Sequence, residues 1–225
     1  MIGKNQILLI VLTIFSLVGY AQEEKSPQEE KSPQENKDLF RKLEFYDLRG
    51  TSAIDAAVGT SLINNDYPEP EFELYFRIGF KQHVTEQLNI GVTFNRYNLA
   101  FDNTFNEDFM SFDLNLEYLI LPYQKFTPFL FGGYGYNASN DFENTQTKVQ
   151  AGTGVEYIIT EGVGIKLFGE YNYVLSNELD GLIVPNNDES FIRIALGVNI
   201  YFGGNKKRER LLEDIDTVIK SNLIK

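Results

Sequence analysis

The chain of 225 residues contains no cysteine, no tryptophan and a single histidine. The lack of cysteine excludes a disulfide scaffold, a Cys-ligated zinc site and a thiol nucleophile, and one histidine excludes a multi-His metal centre. Basic residues number 20 against 32 acidic ones, which argues against nucleic-acid binding. Aromatic residues, in contrast, make up 14% of the chain. We therefore expect one domain with no metal, no cofactor and no nucleic-acid partner.

Residues 1–21 predict a secretory signal peptide. Lys4 precedes an apolar run over 7–18, and the small residues Gly19 and Ala21 match a cleavage site after Ala21. This run is shorter than the roughly 20 residues of a transmembrane helix. Two EEKSPQ copies follow at 23–28 and 29–34. Their composition predicts that residues 22–50 are a disordered periplasmic linker and lead-in.

From residue 51 onward, apolar and polar residues alternate with the period of a β-strand. We predict eight strands, approximately 51–63, 71–84, 88–101, 108–121, 126–137, 146–160, 163–176 and 190–202. The third loses its phase near Arg96, which predicts a bulge, and the glycine-rich stretch 131–136 leaves the fifth ambiguous. Eight strands without intervening helices predict an antiparallel up-and-down barrel over 51–203.

Such a barrel is either a soluble ligand carrier or a membrane protein, and the glycines distinguish the two. An eight-stranded barrel is so narrow that side chains fill its interior. The polar face carries Gly59, Gly79, Gly91, Gly152, Gly154 and Gly197. The polar face is therefore predicted to be the crowded inner one, and the large apolar side chains face lipid. The predicted fold class is all-β, an eight-stranded antiparallel up-and-down transmembrane β-barrel with a short C-terminal helix.

The predicted connectors alternate in length. The long ones are 64–71, 102–108, 137–147 and 177–189, and the short ones are 85–87, 122–125 and 161–162. This asymmetry predicts long loops outside the cell and both termini in the periplasm. The periplasmic tail 204–225 has helical spacing at Leu211, Ile215, Val218 and Ile219. Three possibilities remain for it: contact with the inner leaflet, contact with a periplasmic protein partner, or a frayed end.

Over roughly residues 50–203, the strand pattern, the loop asymmetry and the last strand ending in Asn199-Ile200-Tyr201-Phe202 resemble the small outer-membrane barrels of the OmpX and OmpA transmembrane-domain type. The resemblance implies a monomer in the cell outer membrane, in contact with outer-membrane lipid. Residues 164–182 and 192–203 are also similar to barrel domains of Bacteroidetes, some of them attached to curli-secretion components. The chain has no room for the separate curli-pore domain.

The predicted inner face carries six acids and four bases, namely Asp55, Glu73, Arg77, Lys81, Asp113, Glu117, Glu156, Lys166, Glu170 and Arg193. Because an isolated buried charge costs several kcal/mol, we expect these side chains to form an ion-pair network that fills the lumen. The alternative is a gate, which the OmpA resemblance would allow. In it, a basic side chain exchanges carboxylate partners and opens a narrow water path.

The four long loops contain no Lys or Arg. Their acidic residues are Asp66, Glu69, Glu71, Asp102, Glu107, Asp108, Asp141, Glu143, Glu178, Asp180, Asp188 and Glu189. Such loops favour basic partners, and we expect contacts at Asp66, Glu69, Phe105, Phe142, Asp180 and Asp188. Oxygen ligands cluster at 186–189, but no loop has EF-hand spacing, so we expect a solvated surface rather than a calcium site.

Catalysis is not expected. His83 is predicted to point into the lumen, and no Gly-x-Ser-x-Gly elbow or phosphate-binding glycine loop is present. The sequence therefore predicts an outer-membrane barrel with a structural or surface-interaction role. The alternative is transport, either as a narrow gated pore or as an accessory of a curli-type secretion assembly.

Overall fold

The computed structural model describes residues 33–63, 71–101, 105–139, 145–175 and 190–213. The chain divides into two compact units, 1–34 and 35–225, and the first contributes only residues 33 and 34 to the described part. The predicted signal peptide lies outside the described residues. The elements are α1 (Pro33–Leu48), β1 (Ser52–Ile63), β2 (Glu73–His83), β3 (Leu88–Phe101), β4 (Phe105–Leu119), β5 (Phe126–Ser139), β6 (Thr145–Thr160), β7 (Val163–Val174), β8 (Ser190–Phe202) and α2 (Asn205–Glu213).

The eight strands form a closed antiparallel barrel in which each strand pairs with the next and β1 pairs with β8. Ser52 lies opposite Phe202, so the barrel begins and finishes at the same end, which we call the terminal end. The opposite end, where the connectors 64–72 and 175–189 lie, is the loop end. This topology confirms the predicted eight-stranded up-and-down architecture.

Side chains alternate between a buried inner face and an outer face of exposed apolar residues on every strand. Phe76 on β2 and Leu196 on β8 are 48% and 59% exposed, whereas the neighbouring Tyr75 and Ala195 are buried. A soluble protein does not leave an apolar surface this extensive in water, but a membrane barrel requires it. The predicted transmembrane fold class is therefore confirmed. No helix among the described residues is long and apolar enough to cross a membrane.

The inner glycines make room for two aromatic rings of β5. Phe129 and Phe131 turn inward, which settles the strand that the sequence left ambiguous. A Cβ added to Gly152 would collide with the Phe131 ring, and one added to Gly154 would collide with Phe129. The glycine-bearing face is therefore the crowded interior, as predicted.

The predicted bulge near Arg96 is wrong. β3 pairs with β2 and β4 without a register shift, and among the described strand pairs the shift lies between Ile158 and Thr160 instead. Arg96 keeps the outward phase of Val92 and Phe94. The apolar pattern breaks there because a charged residue occupies an outward position, and the strand itself continues.

The predicted alternation of connector lengths also fails. β3 continues to Phe101 and β4 begins at Phe105, so the connector 102–104 is shorter than the connector 120–125 at the terminal end. The hairpin extends because residues 105–107 pair with residues 99–101, where Leu99 and Ala100 are buried. Strict alternation therefore fails, although the two longest connectors, 64–72 and 175–189, both lie at the loop end.

Residues 33–48, within the segment predicted to be disordered, form α1. The polar composition of this segment led to the prediction of disorder, but it includes three apolar side chains that are buried, Leu43, Phe45 and Leu48. Burial of apolar surface is what stabilises a short helix whose own propensity is marginal. The predicted helix in the tail is present over Asn205–Glu213, and residues 214–225 lie outside the described part.

Candidate functional site in the barrel lumen

Nearer the loop end, the lumen contains an ion-pair cluster centred on Arg193. Its Nη2 lies 3.1 Å from Asp113 Oδ2, and its Nε pairs with Glu170. Lys148 Nζ lies 2.9 Å from the same Asp113 oxygen, and Arg77 Nη1 lies 3.4 Å from the second oxygen of Glu170. All five side chains are almost fully buried, so each charge depends on its partners rather than on water.

A second cluster lies deeper, toward the terminal end. Lys81 Nζ lies 2.6 Å from Glu117 and 3.3 Å from Asp55, and Lys166 pairs with the same oxygen of Asp55. Asn89 Nδ2 donates a 2.8 Å hydrogen bond to the other oxygen of Glu117. Two lysines and two carboxylates are thus paired across the barrel from four different strands. Such cross-barrel contacts hold the strands in one register.

Arg49 closes the terminal end of the lumen. It follows α1, is fully buried, and donates from Nε and Nη2 to Glu156 Oε2 at 3.0 and 2.8 Å. Its Nη1 donates to the carbonyl oxygens of Pro122 and Gln124 at 2.8 and 3.0 Å, and Nη2 also donates to Thr127 Oγ1 at 2.9 Å. The guanidinium therefore joins the N-terminal segment, the β4–β5 connector and β6.

The floor around Arg49 is apolar and is formed partly by α1. Leu48 packs with Ala53, Ile158 and Tyr201 in one buried cluster. The rings of Phe45 and His83 meet edge to face with centroids 5.1 Å apart. Together these contacts cover the end of the lumen with helix and side chains.

Tyr46 lies at the margin of this floor, with its ring edge to face on Phe45 at 5.2 Å. Its partial burial, with Glu86 nearby, raises the pKa of its hydroxyl above the usual value. The Lys207 ammonium of the C-terminal segment lies 6.0 Å from the Tyr46 ring, and Arg208 Nε lies 2.5 Å from Asp47. The two terminal segments therefore touch outside the barrel.

Aromatic rings cover the Arg193 cluster on its loop side. The guanidinium lies 4.8 Å from the Tyr75 ring centroid and 5.0 Å from that of Tyr97, within cation–π range. Tyr97 stacks on Phe191 at 4.9 Å, and Phe109 stacks on Tyr97 from its other side at 5.8 Å. The described lumen is thus filled at four successive levels: rings, two ion-pair clusters and the Arg49 floor.

Some buried polar atoms of the network have no protein partner within the described residues. They include Asp55 Oδ1, Asp113 Oδ1 and Arg193 Nη1. Buried polar groups of this kind are ordinarily satisfied by ordered water. The network therefore has spare hydrogen-bonding capacity.

The structure brings together most of the predicted lumen residues. Those that form buried ion pairs with one another are Asp55, Arg77, Lys81, Asp113, Glu117, Lys166, Glu170 and Arg193, whereas Glu156 pairs with Arg49. Glu73 is not among them, because it begins β2 at the loop end, is partly exposed and accepts a 3.2 Å hydrogen bond from Asn98. His83 lies inside the barrel at the floor.

Sequence reasoning missed two members of the network, Arg49 and Lys148. Lys148 had a visible signal, because it alternates with Gln146 and Gln150 on the inner face of β6. Arg49 had none, because its contacts join residues far apart in the chain. Of the residues predicted to make loop contacts, Phe105 begins β4, and the structure describes its backbone only. The others lie outside the described residues: Asp66, Glu69, Phe142, Asp180 and Asp188.

No family model and no curated protein matches the chain. Among solved structures, Neisserial surface protein A (NspA) superposes with a TM-score of 0.56 at 17% identity, over 68% of this chain and 98% of that one. The N-terminal β-barrel domain of Pseudomonas aeruginosa OprF matches at 13% identity, over 68% and 99% of the two chains, with a TM-score of 0.44. The outer membrane enzyme PagL matches at 15% identity, over 67% and 99%, with a TM-score of 0.42. The likeness to NspA shows that the chain has the fold of the small eight-stranded outer-membrane barrels.

Proposed function

We propose that this protein is an outer-membrane barrel with a structural or surface-interaction role, and that its lumen does not carry solutes. The observation that carries the proposal is the filled lumen. Aromatic rings, two ion-pair clusters and the Arg49 floor occupy successive levels, so a solute would have to displace several buried ion pairs. Breaking a buried pair by removing one partner costs about 3–5 kcal/mol.

The orientation we propose has both termini in the periplasm. β1 and β8 begin and end at the same end of the barrel, and α1 and α2 meet there through the Asp47–Arg208 contact. In transmembrane barrels the longer connectors face the cell exterior. The longest connector of this chain, 175–189, lies at the opposite, loop end. The tail after α2 would then be available to a periplasmic protein partner.

The surface role rests on the charge of the loop end. The segments 64–71, 102–108 and 177–189 contain acidic residues and no Lys or Arg. A surface of one sign raises the local concentration of partners of the other sign. We therefore propose a partner that presents basic groups. PagL shows that a barrel of similar fold can be an enzyme, but we propose no catalytic activity here.

Planar-bilayer recording of the purified full-length chain tests the closed lumen. We expect no discrete current steps from the wild type, and none from Arg49→Ala either, because the aromatic rings and both ion-pair clusters stay in place when the floor contacts are removed. Arg41→Ala is the matched control, because Arg41 is an exposed arginine on the same helix whose nearest carboxylate is the exposed Asp38. Discrete current steps from the wild type, or from Arg49→Ala while Arg41→Ala gives none, would contradict the proposal.

A narrow gated pore is the second candidate, and the partnerless buried atoms favour it. Asp55 Oδ1, Asp113 Oδ1 and Arg193 Nη1 can each accept a new partner if the network rearranges. In that case Arg77→Ala and Glu117→Ala should both change a measurable wild-type conductance, and unchanged conductance in both would exclude the gate. The resemblance of residues 164–182 and 192–203 to barrel domains attached to curli-secretion components, and with it an accessory role in such an assembly, stays a prediction.

A further inference from the structure

The outer wall of the barrel carries a charged pair where every neighbour is neutral. Between the first and last residues of the described strands, Arg96 and Asp108 are the two charged side chains that point outward. Their charged groups lie 3.1 Å apart, and the side chains are 58% and 44% exposed. A charge on the lipid face costs about 2–4 kcal/mol at the bilayer midplane but only about 0–1 kcal/mol near the interface.

On β3 and β4, this pair lies on the loop-end side of the large outward apolar residues Phe94 and Phe112. Asp108 lies opposite Asn98, one outward position closer to the loop end than Arg96, which lies opposite Met110. The Arg96 side chain therefore extends toward that end, as long basic side chains do at a membrane surface.

Two grooves meet at Arg96. The first is apolar, has a volume of about 700 Å³, and runs across β3, β2, β1 and β8 past Phe94, Ile78 and Val198. Its floor is Ala56, a small outward residue paired between Ile78 and Val198, so the wall is recessed there. The second groove is about 350 Å³, more polar, and includes Glu73, Asn98 and Asp108 together with Arg96.

We propose that the two grooves form a binding site for one zwitterionic phospholipid with an ethanolamine headgroup. An acyl chain occupies the recess over Ala56, and the Arg96 guanidinium binds the phosphate. The ammonium group is held by the carboxylates of Asp108 and Glu73. One cation flanked by two carboxylates complements a headgroup that carries both signs, whereas the carboxylates repel one that is only anionic. This inference rests on the proposed membrane placement.

Native mass spectrometry of the full-length chain tests the site. The protein is released from detergent with an equimolar mixture of phosphatidylethanolamine, phosphatidylglycerol and phosphatidylcholine of identical acyl chains. We expect one phosphatidylethanolamine to be retained per barrel in preference to the other two lipids. The methylated choline headgroup loses the ammonium hydrogen bonds, and the glycerol headgroup has no positive charge.

Variants separate the contributions of headgroup and chain. Arg96→Gln should lower phosphatidylethanolamine retention about tenfold, the typical effect of losing a charge-assisted hydrogen bond. Asp108→Asn should abolish the preference over phosphatidylglycerol, and Ala56→Leu should lower retention by filling the recess. Arg41→Gln, on α1, is the control and should change nothing. The mobility of unheated protein on SDS gels verifies that each variant is folded.

Equal retention of all three lipids by the wild type and all variants would overturn the site and leave only annular lipid. Preferential retention of lipopolysaccharide, dependent on calcium, would overturn the ethanolamine assignment in favour of a metal-bridged anionic lipid. Neither result bears on the closed lumen, because conductance is measured separately.

Discussion

Replacing Arg49 by methionine should destabilise the barrel more than any other single change at its terminal end. Arg49 and Glu156 are 0% and 1% exposed, so the substitution leaves a buried carboxylate without its cation. Loss of one partner from a buried ion pair costs about 3–5 kcal/mol. Glu156 keeps hydrogen bonds from Asn199 Nδ2 at 2.6 Å and from the Tyr201 hydroxyl at 2.5 Å. We therefore expect a loss of about 3 kcal/mol, at the lower end of that range.

The assay is equilibrium urea unfolding of the full-length chain in lipid vesicles, with the free energy of unfolding obtained by linear extrapolation. Adding Glu156→Gln to Arg49→Met removes the stranded charge, so the double variant should be more stable than the single one. Arg41→Met, on the exposed face of α1, should stay within about 1 kcal/mol of the wild type. If Arg49→Met also stays within 1 kcal/mol, or if Glu156→Gln further destabilises it, Arg49 does not hold the floor as described.

Three further predictions concern the wall and the tail. Gly152→Val should lower the free energy of unfolding by about 1–3 kcal/mol, because the added side chain overpacks against Phe131. Gly132→Ala is the control in the same assay. Its added Cβ has no neighbour closer than 3.6 Å, so the free energy of unfolding should change by less than about 1 kcal/mol. Leu196→Arg, in the middle of the apolar belt, should cost about 2–4 kcal/mol in vesicles, and a loss below 0.5 kcal/mol would argue against lipid contact. Deletion of 205–225 should leave the free energy of unfolding within about 1 kcal/mol, because its described contacts with the rest of the chain are an exposed ion pair and the Lys207 ammonium at the Tyr46 ring. A larger loss would show that the tail is part of the fold.

The barrel and much of its lumen followed from the sequence because both depend on a pattern of period two. Once Phe76 and Leu196 are assigned to lipid, their neighbours must point inward, and the inward charges must pair. The same reasoning could have included Lys148, which sits in phase with two inward glutamines.

The closure of the terminal end did not follow, because no local pattern encodes it. Arg49 reaches Glu156 across 107 positions of sequence, and α1 lies in a segment whose composition favours disorder. The apolar residues of α1 indicate a helix only once the barrel floor that buries them is known. β3 ends at residue 101 as predicted, but β4 begins at Phe105, before its predicted start at 108, because residues 105–107 continue to pair with residues 99–101.

The orientation of the wall is the claim on which the account depends, and nitroxide spin labels test it most directly. The chain has no cysteine, so single cysteines at Phe76, Leu196 and Phe72 can each be labelled without background. In lipid vesicles, labels at Phe76 and Leu196 should be relaxed by oxygen and shielded from a water-soluble nickel chelate, while Phe72, 73% exposed just before β2, should respond to nickel. Nickel relaxation of the labels at Phe76 and Leu196, equal to that at Phe72, would place the apolar face in water and contradict a membrane barrel.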